Sequence, residues 1–340
     1  MGTIVHKAQK EEQYFEYENN GITLQFEYRP TIKKTWDNFA DFEFHLLENP
    51  YLNKESNIYE TYVKFADDER IGWIFPLSVL ESDTVEDRGN LLNYIYIAYQ
   101  ELLNRIDNLD KGNLLSDYYA PNSIICIIHK GTINKITGED FNIQDYIISL
   151  YTYGYSLIGQ DERANPINNY KYNCDKRIYI RKTKSLCGDD FINQLVQNEL
   201  PYADNFLYRF MLLYQVVEYL MEKESANGIM NAIGKYNAKN IDKNTLLVEI
   251  RDQISEQKLI KDIFKNSNID NKILSLFQQE CEQLFKTVPY IPSSKDSPTL
   301  FYNLRNQLVH SYRKYIAHKE QLITTIRYFE LIILEIIISY

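Results

Sequence analysis

The sequence predicts an α+β protein, in which a strand-rich mixed α/β domain is followed by an all-α helical bundle. Apolar and polar residues alternate in short runs over the first half, whereas apolar residues recur at helical spacing over the second half. The pattern changes near residues 186–188. The chain of 340 residues is also longer than one hydrophobic core usually supports. We therefore expect two domains, residues 1–188 and 189–340.

Short strands and a few helices are expected in the first domain. Residues 14–18 and 22–28 alternate around Asn19-Asn20-Gly21, a sequence typical of a hairpin turn. Apolar spacing at helical period predicts a helix at 90–108 and another at 143–153. Further runs rich in β-branched and aromatic residues predict strands at 58–65, 71–75, 123–129 and 177–181.

Helices alone are expected in the second domain. Asp189 or Asp190 can cap the first of them, and Pro201 is expected to open the longest, of about six turns. Helical patterns follow at 244–265 and 270–287, and Ser297 is expected to cap the next helix, with Pro298 in its first turn.

The last run, 321–340, is apolar on almost every side. Arg327, Glu330 and Glu335 interrupt it, and each of these side chains would be costly within a bilayer. We therefore expect a helix buried in the bundle or in a dimer interface, and not a membrane span.

Composition narrows the function classes. The chain has 37 basic and 47 acidic residues, a net charge of -10, which argues against a protein that coats nucleic acid non-specifically. Residues 1–188 hold 28 acidic and 20 basic residues, against 19 and 17 in residues 189–340, so the excess acid lies mainly in the first domain. The four cysteines form no C-x-x-C pair, and the N-terminus has no apolar signal core, so we expect no metal or cofactor and a cytoplasmic location.

Residues 301–319 (FYNLRNQLVHSYRKYIAHK) contain no acidic residue and hold two of the five histidines. At helical spacing, His310 shares a face with Asn306, Arg313 and Lys314, whereas Arg305 lies about 140° away and would have to curl toward it. Histidine can move a proton near neutral pH, and arginine stabilises charge on phosphoryl oxygens. The segment therefore predicts metal-free cleavage of RNA by attack of its 2′-OH.

The segment RNQLVH resembles the R-x4-6-H motif of HEPN domains, in which a polar residue such as Asn306 often follows the arginine. HEPN domains are helical bundles that carry this motif near the start of a late helix. The resemblance implies an endoribonuclease of prokaryotic anti-phage or toxin–antitoxin defence, acting as a homodimer whose two motifs form one site. It also implies that His310 is the acid/base, that Arg305 stabilises the phosphate and that Asn306 orients the pair.

Tyr312 gives the longer pattern R-x4-H-x-Y, which is similar to HEPN toxins that a partner nucleotidyltransferase silences by adenylylating this tyrosine. Those toxins are usually a single helical domain, and the additional first domain here is instead typical of an abortive-infection protein with a sensor or regulatory domain. The implied partners are an RNA substrate, a second copy, and an antitoxin or another defence-system subunit.

Several residues have two interpretations. Arg313, Lys314 and Glu218 are candidates for substrate binding, although its position favours Glu218 as a rim residue that pairs with a lysine. The basic run 176–184 could guide RNA or could be a solvated strand edge. A second R-x4-H pattern, Arg313…His318, is discounted because a lysine follows its arginine. The alternative function is a non-catalytic HEPN-like module for dimerisation and for binding a partner or ligand.

Overall fold

A computed structural model of the chain describes residues 3–9, 12–19, 22–27, 39–49, 57–64, 69–80, 88–106, 115–157, 176–184, 186, 188–203, 205–288 and 290–340. These residues form two compact units, Met1–Arg181 and Lys182–Tyr340. The boundary between the units lies a few residues before the predicted one. Among the described residues, the first unit contains two sheets and short helices, and the regular elements of the second are all helices, so the α+β class is confirmed.

A three-stranded antiparallel sheet is formed by β1 (Thr3–Gln9), β2 (Glu12–Asn19) and β3 (Ile22–Glu27). Asn19 pairs with Ile22, which confirms the predicted hairpin. The sequence did not predict β1, which pairs with β2 along its whole length.

A six-stranded sheet has the strand order β8-β4-β7-β6-β5-β9, antiparallel except for the pair β5 and β9. Its strands are β4 (Phe42–Glu48), β5 (Tyr59–Val63), β6 (Arg70–Pro76), β7 (Ser123–His129), β8 (Ser156–Leu157) and β9 (Arg177–Ile180). The strands predicted at 58–65, 71–75, 123–129 and 177–181 are thus confirmed over their described residues. The sequence did not predict β4 or the two-residue β8.

The central strand β7 is apolar from Ile124 to Ile128 because both of its faces are buried there. Ile125 and Ile127 pack in one hydrophobic cluster, and Ile124, Cys126 and Ile128 pack in another, as the two-residue period of a strand requires. The helix α1 (Leu91–Asn104) contributes to the first cluster, and α2 (Lys130–Thr137) and α3 (Ile147–Thr152) contribute to the second. The helices predicted at 90–108 and 143–153 correspond to α1 and α3, whereas α2 was not predicted.

The second unit contains α4 (Asp190–Gln194), α5 (Phe206–Asn237), α6 (Lys243–Asp252), α7 (Glu256–Asn266), α8 (Asn271–Thr287), α9 (Ser297–Ser311) and α10 (Lys319–Ser339). The Asp189 side chain accepts a hydrogen bond from the backbone N–H of Ile192, which confirms the predicted cap of α4. The helical pattern at 244–265 corresponds to the two helices α6 and α7.

The predicted start of α5 is wrong. Pro201 lies in a short 3₁₀ turn, Leu200–Tyr202, and the helix begins at Phe206. Asn205 caps it, because its side-chain oxygen accepts hydrogen bonds from the N–H groups of Leu207 and Tyr208. With 32 residues, α5 is also longer than predicted.

The helix α10 is buried against the bundle, as the apolar run predicted, and its core-facing residues run from Leu322 to Ile338. Phe329 stacks on Phe301 of α9, with ring centroids 4.2 Å apart. Glu330 is paired with Arg209 of α5 through two bonds, 2.7 Å from Nε to Oε2 and 2.6 Å from Nη2 to Oε1. Among the described residues, no helix is long and apolar enough to cross a membrane.

Candidate nucleic-acid cleavage site

The helix α9 carries the RNQLVH segment. Its cap is Asp296, whose side chain accepts a hydrogen bond of 3.0 Å from the N–H of Thr299. The prediction of Ser297 as the cap is wrong by one residue, while Pro298 does lie in the first turn. Leu300, Phe301, Leu304 and Leu308 are buried and fix the rotation of α9, so that Arg305 and Asn306 are only partly buried and His310 is exposed.

The acid-free segment 301–319 is not one helix. After α9 ends at Ser311, the chain forms two 3₁₀ turns, Tyr312–Lys314 and Ile316–His318, before α10 begins. The expectation that Arg313 and Lys314 continue the face of Asn306 and His310 is therefore wrong. Burial of Tyr315 accounts for the break, because its ring is fully buried and its hydroxyl donates to Oε1 of Gln307 at 3.1 Å.

Arg305 lies where α9 meets α5 and α7. Its Nη1 donates to Oδ1 of Asn306 at 3.0 Å and lies 3.9 Å from Oε2 of Glu256, the first residue of α7. Its guanidinium lies over the ring of Tyr214 of α5, 5.1 Å from the ring centroid. The Arg305 side chain is 20% exposed, so the group is held by its neighbours and still reaches solvent.

Tyr214 is the buried residue of this cluster. It is 4% exposed, and its hydroxyl makes no hydrogen bond with any residue that the structure describes. Burial raises the pKa of Tyr214 above its usual value. Arg305 lowers this pKa, and the carboxylates of Glu256 and Glu218 raise it further.

His310 is exposed in the last turn of α9. Within the described part of the chain, no hydrogen bond, ion pair or ring contact joins it to Arg305, which turns toward α5 and α7 instead. Asn306 bonds to Arg305 directly, and its position four residues before His310 puts both on one face of α9.

The other predicted site residues lie around this helix. Glu218 is exposed one turn after Tyr214 on α5 and raises the pKa of Tyr214. It makes no ion pair with any lysine that the structure describes. Tyr312 is partly exposed, and its ring centroid lies 6.5 Å from that of Phe206. Arg313 and Lys314 are both exposed in the turn after α9.

The basic run 176–184 includes β9, which is the edge strand of the six-stranded sheet. Nε of Arg177 lies 3.7 Å from Oε2 of Glu60, and the guanidinium lies over the ring of Tyr62. This arrangement favours a solvated strand edge over a guide for RNA.

Two further histidines and two cysteines of the described residues lie outside the site on α9. His129 caps α2 by accepting a hydrogen bond from the N–H of Thr132, as expected of a structural histidine. Burial lowers the pKa of His45, and the neighbouring Glu43 partly opposes this effect. Cys126 and Cys281 are buried, whereas Cys174 and Cys187 lie outside the described residues. Over the described ranges, no group of three or more His, Cys, Asp or Glu is arranged to hold a metal ion.

Sequence reasoning did not find Tyr214 and Glu256. Tyr214 is one of 29 tyrosines and lies on the apolar face of α5, where its spacing predicts core packing. Glu256 is an acidic residue in the first turn of a helix, a common position for glutamate. Tyr214 and Glu256 stand out from other residues of their type only because α5, α7 and α9 meet at Arg305.

No protein-family model, curated protein or solved structure matches the chain. The resemblance to HEPN domains is therefore carried by the RNQLVH motif and its position in the second, helical unit.

Proposed function

We propose that the chain is a metal-independent endoribonuclease of the HEPN type, acting in the cytoplasm in prokaryotic anti-phage or toxin–antitoxin defence. The proposal is carried by one observation, the setting of the RNQLVH segment. Its arginine is held by Asn306, Glu256 and Tyr214 at the meeting of three helices, while its histidine is exposed on the same helix. A fixed cation beside an accessible proton-transfer group suits phosphodiester cleavage.

The chemistry would follow from these two side chains. His310 accepts the proton of a ribose 2′-OH, the 2′-oxygen bonds to the adjacent phosphorus, and the bond from phosphorus to the 5′-oxygen breaks. The leaving oxygen takes a proton, and the products are a 2′,3′-cyclic phosphate and a 5′-hydroxyl. Arg305 stabilises the charge that builds on the phosphoryl oxygens.

One His310 cannot act as base and as acid in the same step. A second copy of the chain would supply the second histidine, and the separation of Arg305 from His310 along α9 is compatible with a site shared between two copies. In this proposal the first unit senses the trigger or regulates the helical unit.

The test is cleavage of single-stranded RNA by the purified full chain in EDTA. The substitution His310→Ala is expected to reduce the rate by about 10²–10⁴-fold, the usual contribution of one acid–base group. His318→Ala is the matched control, because it removes the histidine of the discounted second R-x4-H pattern in the turn before α10, and it should leave the rate unchanged. Equal rates for the wild type and His310→Ala would refute the proposal.

The rival function is a non-catalytic HEPN-like module for dimerisation and binding. The Arg305–Glu256 ion pair favours it, since a purely structural arginine would make the same contact. In that case neither the wild type nor His310→Ala would cleave RNA, and both would form dimers.

Modification of Tyr312 has a separate test. The ring is partly exposed beside Phe206, so a nucleotidyltransferase could reach its hydroxyl. Intact-mass measurement after co-expression with a neighbouring nucleotidyltransferase should show the added nucleotide on the wild type and none on Tyr312→Phe. An unchanged wild-type mass would contradict the modification.

A further inference from the structure

Arg209, which is buried, and Arg305, which is partly buried, differ in which of their guanidinium nitrogens donate hydrogen bonds. Arg209 directs Nε and Nη2 at Glu330, so a carboxylate fills this two-donor edge. In Arg305 the same edge is unused: Nε is buried and, like Nη2, makes no hydrogen bond with any described residue. Only Nη1 is engaged, by Asn306 and more distantly by Glu256.

The hydroxyl of Tyr214 is a further unused donor beside Arg305. It is buried and has no hydrogen-bond partner among the described residues. Leaving such a group unsatisfied is unfavourable by about 1–3 kcal/mol, whereas a phenylalanine would pack the same ring at no such cost. The aromatic ring of Tyr214 is packed on two sides, since it stacks on Phe210 and contacts the Arg305 guanidinium. The hydroxyl therefore requires an explanation that packing does not supply.

We infer that the Tyr214 hydroxyl and the Nε–Nη2 edge of Arg305 form an oxyanion subsite, which binds a non-bridging phosphate oxygen of single-stranded nucleic acid. This inference rests on the proposed function and assigns it a further substrate-binding residue. An arginine edge matches the geometry of a phosphate, and a hydroxyl donor beside it adds a third hydrogen bond.

Glu256 is an anion next to this subsite. Its carboxylate lies 3.9 Å from Nη1 of Arg305, its side chain is 45% exposed, and it can swing into solvent at small cost. Glu218, one turn after Tyr214, adds negative charge nearby. A phosphate at the Nε–Nη2 edge would be repelled by the negative charge of Glu256 near Nη1, so removal of this carboxylate should favour binding.

Binding can be measured apart from cleavage with a single-stranded DNA decamer, which lacks the 2′-OH that the proposed reaction needs. Fluorescence anisotropy of the labelled decamer and calorimetric titration with inorganic phosphate would compare the full-length wild type with Tyr214→Phe. The matched control is Tyr236→Phe, which removes an exposed hydroxyl six turns along the same helix.

Tyr214→Phe is expected to weaken the binding of both probes about tenfold, the effect of one lost hydrogen bond to a charged group. Tyr236→Phe should bind like the wild type, and Glu256→Gln should bind a few-fold more tightly. The melting temperature of Tyr214→Phe should be unchanged or higher, because the substitution removes a hydroxyl that no protein group satisfies.

If Tyr214→Phe binds both probes as tightly as the wild type, the proposed subsite is wrong. If its melting temperature is also lowered, the hydroxyl is satisfied by water and not by a phosphate. Binding of phosphate without binding of the decamer would overturn the assignment to nucleic acid. If the wild type cleaves no RNA but Tyr214→Phe still loses affinity for both probes, the subsite stands and the ribonuclease proposal fails.

Discussion

The buried ion pair between α5 and α10 gives the sharpest stability prediction. In Glu330→Gln, the side chain keeps its size but loses the charge that Arg209 faces through two short bonds. The Arg209 and Glu330 side chains are only 9% and 2% exposed, so water cannot replace the lost carboxylate. Removing one partner of such a pair leaves a buried charge uncompensated and destabilises a protein by about 3–5 kcal/mol.

A loss of this size in the free energy of unfolding can be measured by urea denaturation. With a urea dependence of about 2 kcal/mol per molar, a loss of about 4 kcal/mol should lower the unfolding midpoint of the helical unit by roughly 2 M. Ellipticity at 222 nm follows the helices. Both tryptophans lie within the sequence range of the first unit, so the shift in ellipticity is the readout for the helical unit.

The double substitution Arg209→Met with Glu330→Met is the control, because it removes both charges and leaves apolar side chains in their place. Its stability should lie well above that of Glu330→Gln. A loss below about 1 kcal/mol in Glu330→Gln would refute the reasoning, since it would mean that solvent reaches Arg209 freely.

Two further predictions concern α9. Asp296→Ala should destabilise the helical unit by about 1 kcal/mol at neutral pH through loss of the cap. Burial raises the pKa of Asp296, but hydrogen bonds from Ser294 and Thr299 outweigh this and lower it overall. The cap therefore contributes its full stabilisation above the pKa of Asp296 in the unfolded chain, near 4. This stabilisation is lost as the pH falls through the lower pKa of the folded protein. The urea midpoints of the wild type and Asp296→Ala should therefore converge only below about pH 4. A difference that stayed constant down to pH 2 would contradict this. Phe301→Ala should cost about 3–5 kcal/mol, because the buried ring stacks on Phe329 and meets Phe264 edge-on, and a loss below 1 kcal/mol would contradict that packing.

Local sequence patterns predicted the strands and helices that are determined by their own residues. The Asn-Gly turn fixed the hairpin of β2 and β3, and the apolar spacing of α1 and α8 fixed two helices. Helix boundaries were less predictable, because Pro201 and Asn205 are both plausible starts and only packing selects between them. The same limit applies after Ser311, where burial of Tyr315 ends a helix that the sequence would continue.

The sequence alone determined the fold class, the change from strands to helices, and the RNQLVH segment as the candidate site, because periodicity, turn residues and charge are local properties. The tertiary structure decided which groups surround Arg305. Tyr214 and Glu256 come from α5 and α7, and no spacing rule connects them to α9. It likewise decided that Glu330, which the sequence marks only as a charge in an apolar run, meets Arg209 from 121 residues away. Such contacts depend on how helices pack side by side, which is a property of the whole bundle and not of any one segment.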